Sequence, residues 1–337
     1  MHHRQRSHAT QPATNPRNPL PRRDVLKMGV QALTAAGWAS HRVIPANLSA
    51  AESSARFSLR YLLASCLFGY APLEEILPEV RKAGAEAIDL WPKVHGNQRE
   101  QLDALGLERF QELLKQHGVQ LGAISRYDLG PFQLADEIRL AQRLSCPVIV
   151  TGAPGPGGLK NAELRQALRH FVEKLESTLA LADECGVIIA IENHGNSLID
   201  SPDAMRWLAE AWPTRTLSLA FAPYHLPQDP HLLGQLIRDL GQKIAVFYMW
   251  QHGKGCMKPL PLEEEVLQLP GKGPLDFRPI LAALKDIHYT GYSSIFMHAY
   301  PRGRPIRETP SMVTAQLLEA RDYLEQCLAE LNEKSAN

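Results

Sequence analysis

Residues able to transfer protons follow an apolar run in the middle of the chain, where Val187–His194 has the sequence Val-Ile-Ile-Ala-Ile-Glu-Asn-His. A short apolar run of this kind is typical of a strand buried on both faces, as in a parallel sheet. Because side chains alternate along a strand, Glu192 and His194 should lie on the same side. A carboxylate and an imidazole at the carboxyl end of such a strand are placed for acid/base chemistry. The alternative, a Glu paired with a neighbouring Arg and a His capping a loop, is weaker, because a buried strand does not need these polar groups.

Further polar and aromatic side chains follow the other predicted strands. His194 and His298 end predicted strands, and His225 and His252 come shortly after two others, although any one His alone is usually structural. Flat rings that cover C–H faces, combined with polar groups for hydroxyls, are what a sugar site uses. The candidate catalytic residues are Glu192, His225 and His298. The candidate substrate-binding residues are Trp91, Lys93, His95, His194, Tyr248, Trp250 and His252.

These side chains must be positioned by a regular alternation of strands and helices that begins at Phe57. The strands are predicted at 59–67, 87–91, 121–125, 148–151, 187–194, 217–221, 244–250 and 292–298, with a helix after each. An alternation of this length predicts a single-domain (β/α)8 TIM barrel over residues 57–331, followed by a tail at 332–337. The runner-up, a doubly wound open sheet, needs a glycine-rich phosphate turn after its first strand, and Cys66–Tyr70 is not one.

Composition limits the classes of partner. The chain has 337 residues with 36 basic and 36 acidic side chains, so its formal net charge is zero. A protein that binds nucleic acid through phosphates normally has a basic excess, and no nucleic-acid partner is expected. The five cysteines form no CxxC pair, which argues against a disulfide framework or a cysteine metal site.

Residues 1–56 do not follow the barrel pattern. Pro21–Lys27 carries paired arginines, then Leu and Lys, and precedes the mildly apolar Met28–Ser40. This order resembles a twin-arginine export signal. It predicts export through the twin-arginine translocase to the periplasm, or membrane association through an uncleaved leader. The alternative is a disordered tail with a chance arginine pair.

Several motifs, in this order along the chain, resemble a known family. They are Ala190–His194, Ala222–His225, Gly271–Phe277 and Tyr289–Tyr292. From Phe57 to about Leu331 the chain resembles the xylose isomerase-like TIM barrels, the superfamily of sugar phosphate isomerases and epimerases that also includes endonuclease IV. The twin-arginine leader is similar to that of exported bacterial members.

The resemblance implies proton transfer next to a sugar carbonyl, with a divalent metal on the substrate oxygens and carboxylates that move the proton. The family's metal ligands in the epimerase branch are Glu, Asp, His and Glu from strands five to eight. The matching positions in this chain are Glu192, Ala222, Tyr248 and Phe296. A shift of two residues would place His298 at the last position. Glu192 thus matches the family set directly, whereas Ala222 cannot bind a metal.

Three accounts of the site follow. In the first, Glu192, His225 and His298, with His252 as a further ligand, hold Zn, Mn, Fe or Co, the ions that imidazole and carboxylate ligands favour. In the second, Glu192 is a metal-free base with His225 or His298 as the acid. In the third, the protein is a non-catalytic exported carbohydrate-binding barrel. An endonuclease IV-like role needs more zinc ligands and a positive face, so a small carbohydrate or keto-sugar is the expected partner, and a homo-oligomer is left open.

Residues 251–272 form a long connection between the seventh strand and its helix. Glycines and prolines are frequent in this segment. Long connections with turn residues often act as active-site lids, so the segment is predicted to be an ordered lid over the rim.

Overall fold

Short apolar segments build the sheet at the centre of the described chain, residues 56–334 of a computed structural model. The strands are β1 Arg60–Ala64, β2 Ala87–Leu90, β3 Gln120–Ser125, β4 Val148–Thr151, β5 Ile188–Glu192, β6 Leu217–Phe221, β7 Ile244–Met249 and β8 Tyr292–Ile295. Each pairs in parallel with the next, and β1 pairs with β8, so the sheet closes. The predicted (β/α)8 barrel is confirmed. The predicted leader lies outside the described residues apart from its last residue, as do residues 335–337 of the predicted tail.

Helices connect consecutive strands. They are α1 Leu73–Lys82, α2 Gln98–Leu105, α3 Leu107–His117, α4 Ala135–Arg143, α5 Asn161–Cys185, α6 Pro202–Glu210, α7 Pro230–Leu240, α8 Leu262–Glu265, α9 Arg278–Asp286 and α10 Pro310–Lys334. The N-terminus of α6 is capped by Ser201, whose hydroxyl accepts from the backbone N–H of Ala204 at 3.3 Å. The last helix, α10, packs against α1, so the outer layer also closes. Within residues 56–334 no helix is both long and apolar enough to span a bilayer.

The structure departs from the predicted elements at several places. The fifth strand ends at Glu192 instead of His194, so His194 lies in the loop after the strand and does not share a strand face with Glu192. The first strand ends at Ala64, because Ser65–Leu67 form a short 3₁₀ turn. The eighth strand ends at Ile295, so that Phe296 and His298 lie in the loop after it. Helix α2 was not predicted, since only one of its buried side chains is apolar and the helical repeat is therefore invisible.

The segment 251–272 is ordered by contacts at several points along it. Gln251 donates from Nε2 to the carbonyl oxygen of Leu269 at 2.7 Å. The guanidinium of Arg304 donates to both carboxylate oxygens of the buried Glu265 at 2.8 Å. The first bond joins the two ends of the segment, and the second anchors it to the loop after β8. The indole N–H of Trp250, directly after β7, also donates to Gln268 of the segment at 3.0 Å. That it moves as a lid stays a prediction.

Candidate functional site

The carboxylate at the end of β5 is buried at the rim. Glu192 is the last residue of that strand and is 5% exposed. Burial raises the pKa of its carboxyl to about 7, because charge is costly to desolvate, while the adjacent Tyr127 hydroxyl acts to lower it. An acid whose pKa lies near neutrality can both accept and donate a proton at physiological pH.

A second buried acid, Asp89 on β2, was missing from the residues proposed from the sequence. It is 1% exposed and accepts hydrogen bonds from the Trp91 indole Nε1 at 2.6 Å and from the Ser125 hydroxyl at 3.0 Å. Burial raises its pKa to about 7, and the negative charge of Glu192 adds to this rise. The signal in the sequence was an aspartate inside the otherwise apolar Ala87–Leu90.

Two tyrosines complete what we call the buried acid cluster: Asp89, Glu192, Tyr127 and Tyr248. The hydroxyls of Tyr127 and Tyr248 are buried and lack a well-formed hydrogen bond within the described chain. Burial raises the pKa of both phenols well above the usual range, and the charge of Glu192 raises it further. Both therefore remain protonated, and their O–H groups are available to donate to a ligand.

Histidines form two pairs above this cluster. The rings of His194 and His225 lie 4.0 Å apart, and those of His95 and His298 lie 4.8 Å apart. Burial, followed by the charges of neighbouring groups, lowers the pKa of His225 to about 3 and of His95 to about 4, and it lowers that of His298 well below its usual value. Nε2 of His225 is buried without a partner in the described residues. His95, His225 and His298 are thus neutral donors and acceptors.

Aromatic rings form a continuous wall beside the histidines. Trp91 stacks on Phe296 with ring centroids 5.4 Å apart, and Phe296 meets Trp250 edge-on at 5.0 Å. Trp250 stacks on Tyr224 at 3.9 Å, and its indole N–H donates to Gln268 of the segment 251–272 at 3.0 Å. Such a wall can cover the C–H face of a sugar ring.

Two of the residues proposed from the sequence lie at the edge of this arrangement. Lys93 is exposed, and its contact in the described chain is made by the backbone N–H, which donates to Glu100 at 3.1 Å. His252 is also exposed, with its ring 4.7 Å from that of Tyr224. The other proposed residues line the rim. A cavity of about 320 Å³ opens there between Tyr127, His194 and the loop after β4.

These features define a class of protein: a parallel barrel that handles a small polar molecule at the carboxyl ends of its strands. Residues 77–316 match the family model described as xylose isomerase-like TIM barrel, and the chain belongs to that family. No curated protein matches the sequence.

Several solved structures share the fold. The IOLI protein with bound zinc is 16% identical, with a TM-score of 0.60 and coverage of 81% of this chain and 99% of its own. L-ribulose 3-epimerase is 16% identical, with a TM-score of 0.61 and coverage of 83% and 97%. The probable 3-DHS dehydratase AsbF from Bacillus anthracis is 15% identical, with a TM-score of 0.58 and coverage of 77% and 97%. At these identities the similarity establishes the fold alone.

The metal set implied by the family resemblance does not fit this chain. Of its four positions, Ala222 and Phe296 carry no ligand atom, and Tyr248 keeps its proton. The alternative set of Glu192, His225 and His298 does not form a group of ligands in the described chain either. Among residues 56–334, no three His, Cys, Asp or Glu side chains lie close enough together to share an ion.

Proposed function

We propose that the protein is a carbohydrate-active enzyme that transfers a proton next to a sugar carbonyl, and so isomerises, epimerises or eliminates from a keto-sugar. The observation that carries this proposal is the buried Glu192 at the rim, with a pKa of about 7, next to a second acid of similar pKa. Perturbed acids in a cleft are typical of catalytic sites. The epimerases and the dehydratase among the similar folds are consistent with it.

In this mechanism Glu192 removes the proton from the carbon next to the carbonyl. In isomerisation it returns the proton to the neighbouring carbon, in elimination the proton leaves with the departing hydroxyl as water, and in epimerisation a second donor protonates the opposite face of the same carbon. The negative charge that develops on the carbonyl oxygen must be stabilised by donors already in place. The hydroxyls of Tyr127 and Tyr248, which lie next to Glu192 and to each other, and the buried Nε2 of His225 make no well-formed hydrogen bond in the described chain and can turn to supply such donors. Asp89 holds the Trp91 indole in place.

A divalent metal would polarise the substrate carbonyl in family members that bind one. Because the ligand positions do not fit, no step of the proposed mechanism passes through a metal. Neutral hydrogen-bond donors take the polarising role instead.

The test is hydrogen–deuterium exchange at the carbon next to the carbonyl, followed by proton NMR in D2O with a panel of keto-sugars. This readout detects isomerisation, epimerisation and elimination alike. Glu192→Gln should slow exchange by about a hundredfold or more, because it removes the base. Glu108→Gln, a surface change on α3, should leave the rate unchanged. Exchange at the wild-type rate in Glu192→Gln would show that Glu192 is not the base.

A second candidate function is a non-catalytic carbohydrate-binding barrel. Specific support for it comes from Ala222 and Phe296, which leave no ligand at two of the family's metal positions. A binding barrel should bind sugars through the aromatic wall yet exchange no proton in any of them. Binding without exchange by the wild-type protein would favour this candidate.

We also propose that the leader exports the folded barrel through the twin-arginine translocase. The support is the residue order of Pro21–Lys27. The absence of any cysteine pairing motif agrees with a protein that folds before it reaches an oxidising compartment.

A further inference from the structure

The loop after β8 carries an arginine with an incompletely used guanidinium. Nη1 of Arg302 donates to the carbonyl oxygens of Cys256 at 2.9 Å and of Ala299 at 2.8 Å, which uses both of its protons. Nη2 meets two sulfur atoms, Sγ of Cys256 at 3.2 Å and Sδ of Met257 at 3.6 Å. Sulfur is a weak acceptor. The Nε–Nη2 edge, which can bind a carboxylate or phosphate through two parallel hydrogen bonds, thus has no strong acceptor within the described residues.

Arg302 belongs to the same rim as the buried acid cluster. Its positive charge adds to burial in lowering the pKa of His95 and of His298. The Cys66 thiol, whose pKa is raised by burial, feels the charges of Asp89, Arg302 and Glu192 together. No Asp or Glu of residues 56–334 forms an ion pair with Arg302, whereas Arg304, two residues later, is paired with Glu265. The charge of Arg302 therefore acts on the same buried thiol as the charges of Asp89 and Glu192, and no carboxylate of the described residues pairs with it.

The loop that carries Arg302 is fixed against the loop after β1. A Cβ on Gly303 would lie 2.7 Å from the Tyr70 ring, and a Cβ on Gly69 would lie 2.6 Å from the carbonyl oxygen of Gly303. The backbone N–H of Ile306 donates to the carbonyl oxygen of Leu67 at 2.9 Å. We call these contacts the β1–β8 clasp. A guanidinium held on such a loop loses little freedom when it binds an anion.

We propose that the substrate is a sugar bearing an anionic group, a carboxylate or a phosphate, which the Nε–Nη2 edge of Arg302 binds while the carbonyl lies at Glu192. This inference rests on the proposed function, since it names the substrate class of the same site. His95 and His298 are neutral, because burial and then the charge of Arg302 lower their pKa, so this pair adds no competing charge. The anion supplies the counter-charge that the protein does not give Arg302.

The experiment measures the affinity of the full-length chain for three sugars that differ at one position: D-glucose, D-glucuronate and D-glucose 6-phosphate. Isothermal titration calorimetry at fixed pH and ionic strength should give at least one anionic sugar an affinity about tenfold or more above that of glucose. Arg302→Gln should reduce that anionic affinity by about ten- to a hundredfold and leave glucose within about threefold. Arg302→Lys keeps the charge but not the two parallel N–H donors, so it should reduce the affinity for the anionic sugar by less than Arg302→Gln does.

Arg307→Gln is the matched control, because it removes an equal charge from the same loop. The carboxylate and phosphate arms identify the source of the anion. The inference is overturned if D-glucose binds with the same affinity as both anionic sugars, or if neither anionic sugar binds at about 10 mM. It is also overturned if Arg302→Gln leaves the preference for the anionic sugar over D-glucose unchanged. Glu192-dependent exchange in neutral keto-sugars alone would overturn this inference and keep the proposed function. Arg302-dependent binding of an anionic sugar without any proton exchange would support the anion site and overturn the proposed enzymatic function.

Discussion

Replacing Glu192 with Gln should change how the stability of the protein depends on pH. Burial raises the pKa of Glu192 from its ordinary value of 4.5 to about 7. The folded protein therefore holds a proton between these two pH values that the unfolded chain has released. The stability contributed by this group is fully present below the unfolded pKa and is lost as the pH rises through the folded pKa. Glutamine does not titrate, so the variant escapes this loss.

The size of the effect follows from the two pKa values. A pKa difference of one unit corresponds to about 1.4 kcal/mol, so the difference between the folded and unfolded pKa of Glu192 changes the free energy of unfolding by about 3 kcal/mol in total. Between about pH 5 and about pH 8 the free energy of unfolding of Glu192→Gln should rise by about 2 kcal/mol relative to wild type. His95 and His225, whose pKa values burial lowers, act in the opposite direction in both proteins, and their contributions cancel in the comparison.

Urea denaturation followed by circular dichroism, at both pH values, measures the two free energies. Glu108→Gln, an exposed glutamate-to-glutamine change, is the control and should show the same difference from wild type at both pH values. The reasoning is refuted if the difference between Glu192→Gln and wild type is constant with pH or shrinks as the pH rises. Either result would mean that the folded protein does not keep Glu192 protonated near neutrality.

Other predictions follow from single contacts. Asp89→Ala should lower the free energy of unfolding by about 2 kcal/mol in urea titrations, because the Trp91 indole loses its acceptor; an unchanged midpoint would contradict this. Arg304→Gln should make the segment 251–272 cleave faster in limited trypsin digestion, because a buried carboxylate loses its partner, and equal rates would count against it. Replacing Arg22–Arg23 with two lysines should retain the protein in the cytoplasm, as judged by cell fractionation. Continued export of this variant would contradict the proposal that the leader is a twin-arginine signal.

The sequence was sufficient for the fold because the barrel depends on short-range patterns. Apolar runs at 148–151 and 217–221 became strands with those bounds. The pattern failed for α2, where buried polar side chains replace the apolar repeat. It also failed at the end of β8, because no local signal marks where a chain leaves a sheet.

The site was less accessible from the sequence. Glu192 could be placed because its position at the end of an apolar strand is a local feature. Asp89 had a local signal too, as an aspartate in an apolar strand, but its raised pKa could not be predicted, because it depends on complete burial in the folded barrel, where Ser125 from the next strand contacts it. Arg302 was missed for the same reason, because its bonds to Cys256 join residues far apart in sequence. Properties that arise from burial and from distant partners need the folded chain.

The β1–β8 clasp makes one side of the barrel mouth closed and leaves the other side open. On that side the loops after β1 and β8 are packed tightly together, and the segment 251–272 is bonded to Trp250, directly after β7, and to the loop after β8. The cavity of about 320 Å³ opens on the other side, against Tyr127, Gly152 and Ser197 from the loops after β3, β4 and β5. We expect ligands to enter and leave past these residues. Selection pressure for a new substrate should therefore change the entrance loops first, while the clasped side holds the chemistry in place.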